Sequence, residues 1–204
     1  MPLREDAQAV VPTAVRDLDL LKMRKPPERP TSLRPQGLGI TVPKPTLIVD
    51  SMEQKPYTFK PFRRWFAAIE RRRLHTGDYS IAGLEDKVAV ERKSLEDLFN
   101  CCSPHGSRVA FVQACERLSK LDFAAIVIEG SITKILRATE FSSMHPNAVF
   151  GTIQALAVRW GIQPWFAPSR ALAEEITACL LHKAYQLAVL EQKGLPRQFI
   201  EGDI

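Results

Sequence analysis

The stretch "HTGDYSIAGLEDKVAVERKSLEDL", residues 75–98, contains two strand-like segments, "YSIA" and "KVAVERK", joined by "GLED". Glycine and acidic residues favour a turn, so the stretch predicts a β-hairpin. Side chains two residues apart lie on the same face of a strand. Glu91 and Lys93 are therefore predicted to project together, while Arg92 points away. Asp78, at the start of the first strand, is predicted to meet Glu91 across the hairpin.

Two carboxylates this close repel each other unless a cation lies between them. The oxygens of Asp78 and Glu91, helped by the backbone carbonyl of Arg92, are hard ligands that favour Mg²⁺ or Mn²⁺ over Zn²⁺. Lys93 would stand beside the metal as a fixed positive charge. Such a centre activates water and stabilises the charge that develops on a phosphorane, so the hairpin predicts metal-dependent hydrolysis of phosphodiesters.

Two further acids follow the apolar segment "TLIVD", which is typical of a buried strand. Asp50 ends this segment, and Glu53 lies three residues beyond it. Both are candidates for a second metal or a water network. Asp50 is predicted to be a catalytic carboxylate and metal ligand, and Glu53 a supporting acid.

The remaining chain alternates between strand-like and helix-like segments. Strands are predicted for "TLIVD", the second half of "WFAAIERRRL", "FAAIVIEG" and "IQPWFA", in addition to the hairpin. Helices are predicted over residues 95–102, 107–120, 148–160 and 169–190, where apolar periodicity or a capping residue (Ser94, Asn147 or Ser169) marks them. Strands that first cluster and then alternate with helices predict an α/β fold with a mixed central sheet flanked by helices.

Composition adds weaker constraints. The chain has 204 residues, a formal net charge of +5 and a pI near 9.1, which makes a polyanionic partner plausible. Its four cysteines match neither a zinc knuckle nor a disulfide framework, so a reducing compartment is expected. No signal segment opens the chain and no apolar run is long enough to span a membrane, so no membrane association is expected.

Proline divides the chain into regions. Eight of the 15 prolines lie before Thr46, and proline removes backbone donors and regular periodicity. Residues 1–45 are therefore predicted to be a Pro-rich basic extension, largely irregular, with a short helix over residues 14–23. Its basic stretch "RKPPERPTSLRPQG" suits either phosphate contact or simple solvation, and solvation is favoured. Residues 46–192 are predicted to form the domain, and residues 193–204 a C-terminal tail.

The hairpin stretch resembles the signature Gly-Asp-n-Glu-Arg-Lys-x-x-x-Asp of the XPF-type structure-specific DNA endonucleases. Six residues match it position by position: Gly77, Asp78, Glu91, Arg92, Lys93 and Asp97. "SRVAFVQACERL" and "FAAIVIEG" follow in the order that such domains show, and the resemblance covers roughly residues 46–190.

This resemblance implies a restriction-endonuclease-like nuclease domain that uses Mg²⁺ or Mn²⁺ to cut branched, flapped or junction DNA, in DNA repair or recombination. It makes Asp78 and Glu91 ligands, Lys93 the catalytic cation, and Arg92 and Asp97 supports of the site. The helix from Ser169 either packs wholly on its own sheet or lends a face to a second subunit, and the resemblance favours a homodimer. Compact bacterial and phage forms look much like this chain, so a cytoplasmic, nucleoid-associated protein of prokaryotic or phage origin is expected.

The chain departs from the family in two respects. The family tends to carry Asp-x-Arg-Glu at the end of the first strand, whereas "DSME" places Met52 where the arginine stands. The helicase region and the tandem helix-hairpin-helix module that often accompany the domain are not recognisable in the sequence. A non-catalytic DNA-binding or scaffolding partner on the same fold is therefore an alternative, as is a restriction-type or junction-resolving nuclease.

Several charged residues have two interpretations. Asp97 either supports the site or satisfies an exposed amide at a helix start. Arg71 and Arg73 are candidates for tracking a phosphate backbone, although strand alternation places at least one arginine of the run 71–73 in solvent or in an ion pair. Arg108 resembles an arginine that the family keeps after its signature, and it is predicted to contact DNA.

Overall fold

The computed structural model describes residues 32–33, 40–103, 106–137 and 146–194. Its strands are β1 (Ser32–Leu33), β2 (Ile40–Thr41), β3 (Thr46–Asp50), β4 (Ala68–Arg72), β5 (Tyr79–Ile81), β6 (Val88–Ser94), β7 (Phe123–Glu129) and β8 (Gln163–Ala167). Its helices are α1 (Leu95–Cys102), α2 (Arg108–Leu118), α3 (Ile132–Arg137), α4 (Pro146–Trp160) and α5 (Arg170–Gln192), with a 3₁₀ helix at Lys60–Trp65 between β3 and β4.

Six strands form a mixed sheet in the order β4-β3-β5-β6-β7-β8. The β5–β6 hairpin is antiparallel, with Tyr79 opposite Val90, and β5 is also antiparallel to β3. The outer pairs, β3–β4, β6–β7 and β7–β8, are parallel. Parallel neighbours need a crossover connection, and helices supply those that lead to β7 and β8. The predicted mixed sheet with flanking helices is therefore confirmed.

Side chains alternate between two apolar cores, one on each face of the sheet. Val88 and Val90 pack on the face covered by α5, whereas Ala89 packs on the face covered by α1, α2 and α4. In β7, Val127 and Ile128 face opposite cores and are both fully buried. A strand buried on both faces is apolar at every position, which is why "FAAIVIE" forms a continuous apolar run.

Two helices begin where the sequence predicts. The Ser94 hydroxyl accepts from the amide of Asp97 at 3.1 Å, and the Ser169 hydroxyl accepts from the amide of Leu172 at 3.2 Å. The prediction for α4 was wrong by two residues, because the helix begins at Pro146 and includes Asn147 rather than being capped by it. Proline is favourable in the first turn of a helix, where its missing N–H would have no partner. The 3₁₀ helix was not predicted.

The segment before β3 is not wholly irregular. β1 and β2 form an antiparallel pair with Ser32 opposite Thr41. Val42 packs against Val189 and Leu190 near the end of α5. The helix predicted over residues 14–23 and residues 195–204 of the predicted tail lie outside the described residues, and the boundaries of the extension and tail stay predictions. Within the described part of the chain, no helix is both long and apolar enough to cross a membrane.

Candidate active site

The hairpin places Asp78, Glu91 and Lys93 together on the face covered by α1 and α2. Glu91 Oε1 lies 3.0 Å from Lys93 Nζ, and both side chains are more than four-fifths buried. Lys93 Nζ also lies 5.6 Å from the ring centroid of Phe111 in α2. The Asp78 carboxylate accepts from the backbone N–H of Arg92 at 2.7 Å, which fixes it beside the residues on either side of Arg92. The structure thus has the arrangement that strand alternation predicts.

Burial and like charge act together on these acids. Burial, followed by the charge of Glu91, raises the pKa of Asp78 to about 8, although the amide of Arg92 opposes the shift. Burial alone would lower the pKa of Lys93, but the acidic groups around it, Glu91 foremost and Asp78 among them, together outweigh burial and raise that pKa above its ordinary value. Lys93 therefore stays protonated at neutral pH. A second cation between Asp78 and Glu91 would relieve their repulsion, so the donor set fits Mg²⁺ or Mn²⁺.

This electrostatic arrangement predicts a pH dependence of stability in the metal-free protein. The unfolded chain releases the Asp78 proton near pH 3.8, whereas the folded protein retains it to about pH 8. The contribution of Asp78 to stability is therefore lost as the pH rises through this window. Asp78→Asn removes that loss, and we expect its melting temperature at pH 8 to exceed that of the wild type by roughly 10 °C, with little difference at pH 4.

Metal addition should narrow this difference in stability between Asp78→Asn and the wild type. At 100 times its Kd, Mn²⁺ stabilises a protein that binds it only when folded by about 2.7 kcal/mol. We expect this gain in the wild type and not in Asp78→Asn. Asp86→Asn, which alters an exposed acid in the turn of the same hairpin, is the matched control and should keep the gain. Equal stabilisation of all three proteins would show that the ion binds elsewhere.

The acids after β3 have protein partners. Asp50 accepts from the backbone N–H of Leu74 at 3.0 Å and pairs with Arg73 at 3.2 Å. Glu53 accepts from the backbone N–H of Lys55 at 2.6 Å. No group of three or more His, Cys, Asp or Glu side chains in the described ranges is arranged to hold a metal. The roles of Asp50 as a ligand and Glu53 as a support stay predictions.

An open cleft of about 390 Å³ lies beside Asp78 and is strongly polar. It is lined by Asp50, Met52, Glu53, Gln54, Lys55, Asp78, Arg92 and Asp97. Met52, which stands in place of the family arginine, is 65% exposed. The cleft thus brings together four of the predicted acids, Asp50, Glu53, Asp78 and Asp97.

The Arg92 side chain points to the opposite face from Glu91 and Lys93, as predicted. Its guanidinium lies 3.3 Å from Glu53 and 3.4 Å from Glu129, and all three side chains are largely buried. Burial alone would lower the pKa of Arg92, but the charges of Glu53 and Glu129 raise it. The side chain is therefore the centre of an ion-pair group behind the sheet. The role of its backbone carbonyl as a metal ligand stays a prediction.

Sequence reasoning missed Glu129 and Arg170. Glu129 ends β7 and lies 2.7 Å from Arg170, the first residue of α5. A single acid at the end of an otherwise wholly apolar strand was the signal that could have identified Glu129. Nothing local distinguishes Arg170 from other arginines, because its contacts are with residues far away in the chain.

The remaining predicted site residues are Asp97, Arg71 and Arg108. Asp97 lines the cleft, and its carboxylate accepts from the Ser94 hydroxyl at 2.7 Å rather than from a backbone amide. Its role as a support of the site stays a prediction. Arg71 donates to the backbone carbonyls of Ser51 and Glu53 at 3.2 and 2.7 Å, and so holds the loop after β3. Arg108 is exposed at the start of α2. Contacts of Arg71, Arg73 and Arg108 with DNA stay predictions.

Gly77, which precedes Asp78, has a backbone conformation and a close contact that favour glycine at this position. Its φ is +75°, and a Cβ built there would lie 2.8 Å from the Cβ of Ala89. We expect Gly77→Ala to lower the free energy of unfolding by roughly 2–4 kcal/mol, from backbone strain plus overpacking. Gly83, with φ +80° and nothing within 4 Å of such a Cβ, is the matched control. Gly83→Ala carries the strain alone, about 1–2 kcal/mol. If chemical denaturation gives the same loss of unfolding free energy for Gly77→Ala and Gly83→Ala, the close approach of residue 77 to Ala89 does not affect stability.

Comparison with known proteins places these residues in a family. The family model described as "ERCC4 domain" matches residues 49–180, more than half of the chain. A Methanocaldococcus jannaschii protein named "Putative ATP-dependent RNA helicase MJ1505" is 33% identical over 128 residues. That alignment covers 63% of this chain but spans only 14% of the M. jannaschii protein.

Solved structures show a similar fold. XPF from Aeropyrum pernix superposes with a TM-score of 0.54 at 16% identity, covering 69% of this chain and 61% of that one. XPF from Aeropyrum pernix in complex with DNA gives a TM-score of 0.48 at 21% identity, covering 72% of this chain and 73% of that one. The first likeness confirms the predicted restriction-endonuclease-like fold. Because the family model includes the whole hairpin and the cleft, this chain belongs to the ERCC4 domain family.

Proposed function

We propose that the protein is a metal-dependent, structure-specific DNA endonuclease that hydrolyses phosphodiester bonds in branched, flapped or junction DNA, in DNA repair or recombination. The observation that carries the proposal is the largely buried trio of Asp78, Glu91 and Lys93 beside an open polar cleft. A protein that only binds DNA has no physical need for clustered buried acids facing a polyanion. Membership of the ERCC4 domain family supports the nuclease class.

The residues divide the chemistry among them. Asp78, Glu91, the backbone carbonyl of Arg92 and Asp50 would hold Mg²⁺ or Mn²⁺, which supplies an activated water and neutralises charge on the phosphate when bound. Lys93 brings a permanent positive charge that is held by Glu91 at 3.0 Å. Its ammonium would orient the attacking water or the scissile phosphate. Asp97 and Glu53 would support the wall of the cleft.

DNA contact is proposed for Arg71, Arg73 and Arg108. Arg73 and Arg108 are exposed, and the net charge of +5 favours a polyanion. Arg71 holds the loop beside the cleft, so it would act both on the loop and on a phosphate. These contacts would bind the backbone without reading sequence, which suits recognition of DNA shape.

The homodimer is proposed from the family resemblance, and two exposed apolar side chains outside α5 offer a surface on which it would pair. Val158 on α4 is 88% exposed, and Trp165 on the edge strand β8 is 39% exposed. The family resemblance assigns pairing to the last helix, and α5 itself packs along β6, β7 and β8 of its own sheet. Light scattering tests the proposal: a mass near twice 22.9 kDa supports a dimer, and a monomer at all concentrations refutes it.

A cleavage assay tests the function. End-labelled flap, fork, junction and linear duplex DNA are incubated with the wild type in Mg²⁺, Mn²⁺ or EDTA. We expect cuts near the branch that require the metal. Salt-sensitive binding without turnover on any substrate would favour the scaffolding alternative. Equal cleavage of linear duplex would instead indicate a restriction-type nuclease.

A further inference from the structure

The loop after β3 forms one wall of the cleft but has no regular structure of its own. Residues 51–57, here called the cleft loop, include the exposed Met52, Gln54 and Lys55 and the buried Glu53. A loop with exposed polar backbone opens at little cost unless other elements hold it. What holds it therefore determines the shape of the cleft.

Arg170 fastens the far end of the cleft loop to α5. Its Nη2 donates to the backbone carbonyls of Lys55 and Pro56 at 2.5 and 3.0 Å. Its guanidinium carbon lies 4.8 Å from the ring centroid of Tyr57. Ser169 caps the first turn of α5, a helix of 23 residues that packs along the sheet. The loop is thus tied to the first turn of the longest helix in the described ranges.

Glu129 connects this attachment to the hairpin. Its carboxylate lies between two cations, 2.7 Å from Arg170 and 3.4 Å from Arg92. The guanidinium of Arg92 also binds Glu53 of the cleft loop, and its backbone N–H donates to Asp78. An unbroken series of polar contacts therefore runs from α5 through Glu129 and Arg92 to both walls of the cleft.

We propose that Glu129 and Arg170, which lie outside the hairpin stretch, are positioning residues that hold the cleft loop and Glu53 in register with Asp78. Neither touches the reacting atoms. The proposal rests on the proposed endonuclease function, because a misplaced cleft wall affects the rate of a reaction at Asp78 and Glu91. Loss of positioning lowers kcat, the rate at which bound substrate reacts, more than it lowers the affinity for the substrate.

The first readout needs no activity. Hydrogen exchange of the metal-free protein reports opening of the cleft loop, whose amides of Lys55 and Tyr57 are held by Glu53 and by the Tyr79 hydroxyl. We expect Arg170→Ala to speed exchange at these amides at least tenfold, while amides of β7 keep their protection. Unchanged exchange in the loop overturns the proposal, even if the wild type proves to cleave no DNA.

The second readout separates positioning from DNA contact. On a branched substrate, Arg170→Ala and Glu129→Gln are expected to lower kcat roughly 10- to 100-fold, the range typical of partners that orient metal-binding groups, with KM within about twofold. Arg170→Lys, which keeps the charge but loses the fork to two carbonyls, should recover part of kcat. Arg117→Ala, at an exposed arginine on α2, is the matched control and should leave both constants unchanged.

Three further outcomes overturn the proposal. A rise in KM with unchanged kcat for Arg170→Ala would make Arg170 a DNA contact instead. Full activity of Glu129→Gln would show that its two ion pairs do not affect the site. If Arg170→Ala fails to fold, Arg170→Lys decides by the same exchange measurement, and wild-type loop protection in that variant would contradict the proposal. Absence of cleavage by the wild type would refute the proposed function and leave the exchange result to stand by itself.

Discussion

Lys93→Ala is expected to lower the single-turnover rate of DNA cleavage by roughly 10²–10³-fold, the usual cost of removing one fixed group that stabilises transition-state charge. Lys93 Nζ is held 3.0 Å from Glu91 in a largely buried position, and the raised pKa of Lys93 keeps it charged at neutral pH. Alanine removes that charge without replacing it. Lys93→Arg should recover little, because a planar guanidinium does not fit the place of a compact ammonium.

The matched control for this prediction is Lys87→Ala. Lys87 is exposed immediately before β6, so its removal changes the net charge equally without touching the site. We expect its rate to stay within about twofold of the wild type, in keeping with the small effects of exposed charges. Cleavage by Lys93→Ala at the rate of the control would remove Lys93 from the mechanism.

Arg92→Ala is expected to lower the free energy of unfolding by about 3–5 kcal/mol, because it leaves the buried Glu53 without its cation and Glu129 with only the half-exposed Arg170. Arg92, Glu53 and Glu129 have side-chain exposures of 7%, 9% and 16%, so solvent screens their charges poorly. For a chain of this size the loss corresponds to a drop in melting temperature of roughly 10 °C. Calorimetry or urea titration of the metal-free protein measures it.

Arg72→Ala tests whether the loss of stability expected for Arg92→Ala is large because the ion pairs of Arg92 are buried. Arg72 pairs with Glu85 on the surface, where its side chain is 47% exposed. Exposed ion pairs contribute about 0–1 kcal/mol, so the melting temperature should fall by no more than about 4 °C. A cost for Arg92→Ala no larger than that for Arg72→Ala would mean that the ion-pair group behind the sheet does not stabilise the protein.

Local patterns in the sequence predict much of the fold. Strand alternation assigns Glu91 and Lys93 to one face and Arg92 to the other, and the structure confirms it. The capping residues Ser94 and Ser169 mark the starts of α1 and α5 correctly. These features depend on residues a few positions apart, whose physical constraints are visible in a single stretch of sequence.

Features made by distant residues could not be predicted in this way. Arg170 and the Lys55 carbonyl that it binds are 115 positions apart, and no local periodicity records such a contact. The 3₁₀ helix at Lys60–Trp65 follows Phe59, a non-glycine residue at φ 52°. Buried tertiary contacts hold Phe59 in that conformation, against its intrinsic preference. The pairing of Asp50 with Arg73 was hidden for the same reason.

The central claim is that Asp78 and Glu91 share one divalent cation with the ammonium of Lys93 beside it. Anomalous diffraction from crystals grown with Mn²⁺ tests it most directly, with crystals of Asp78→Asn as the reference. The account predicts an anomalous peak between the carboxylates of Asp78 and Glu91 in the wild type and none there in the variant. A wild-type map with no peak at that position, or with the ion bound at other residues, would contradict it.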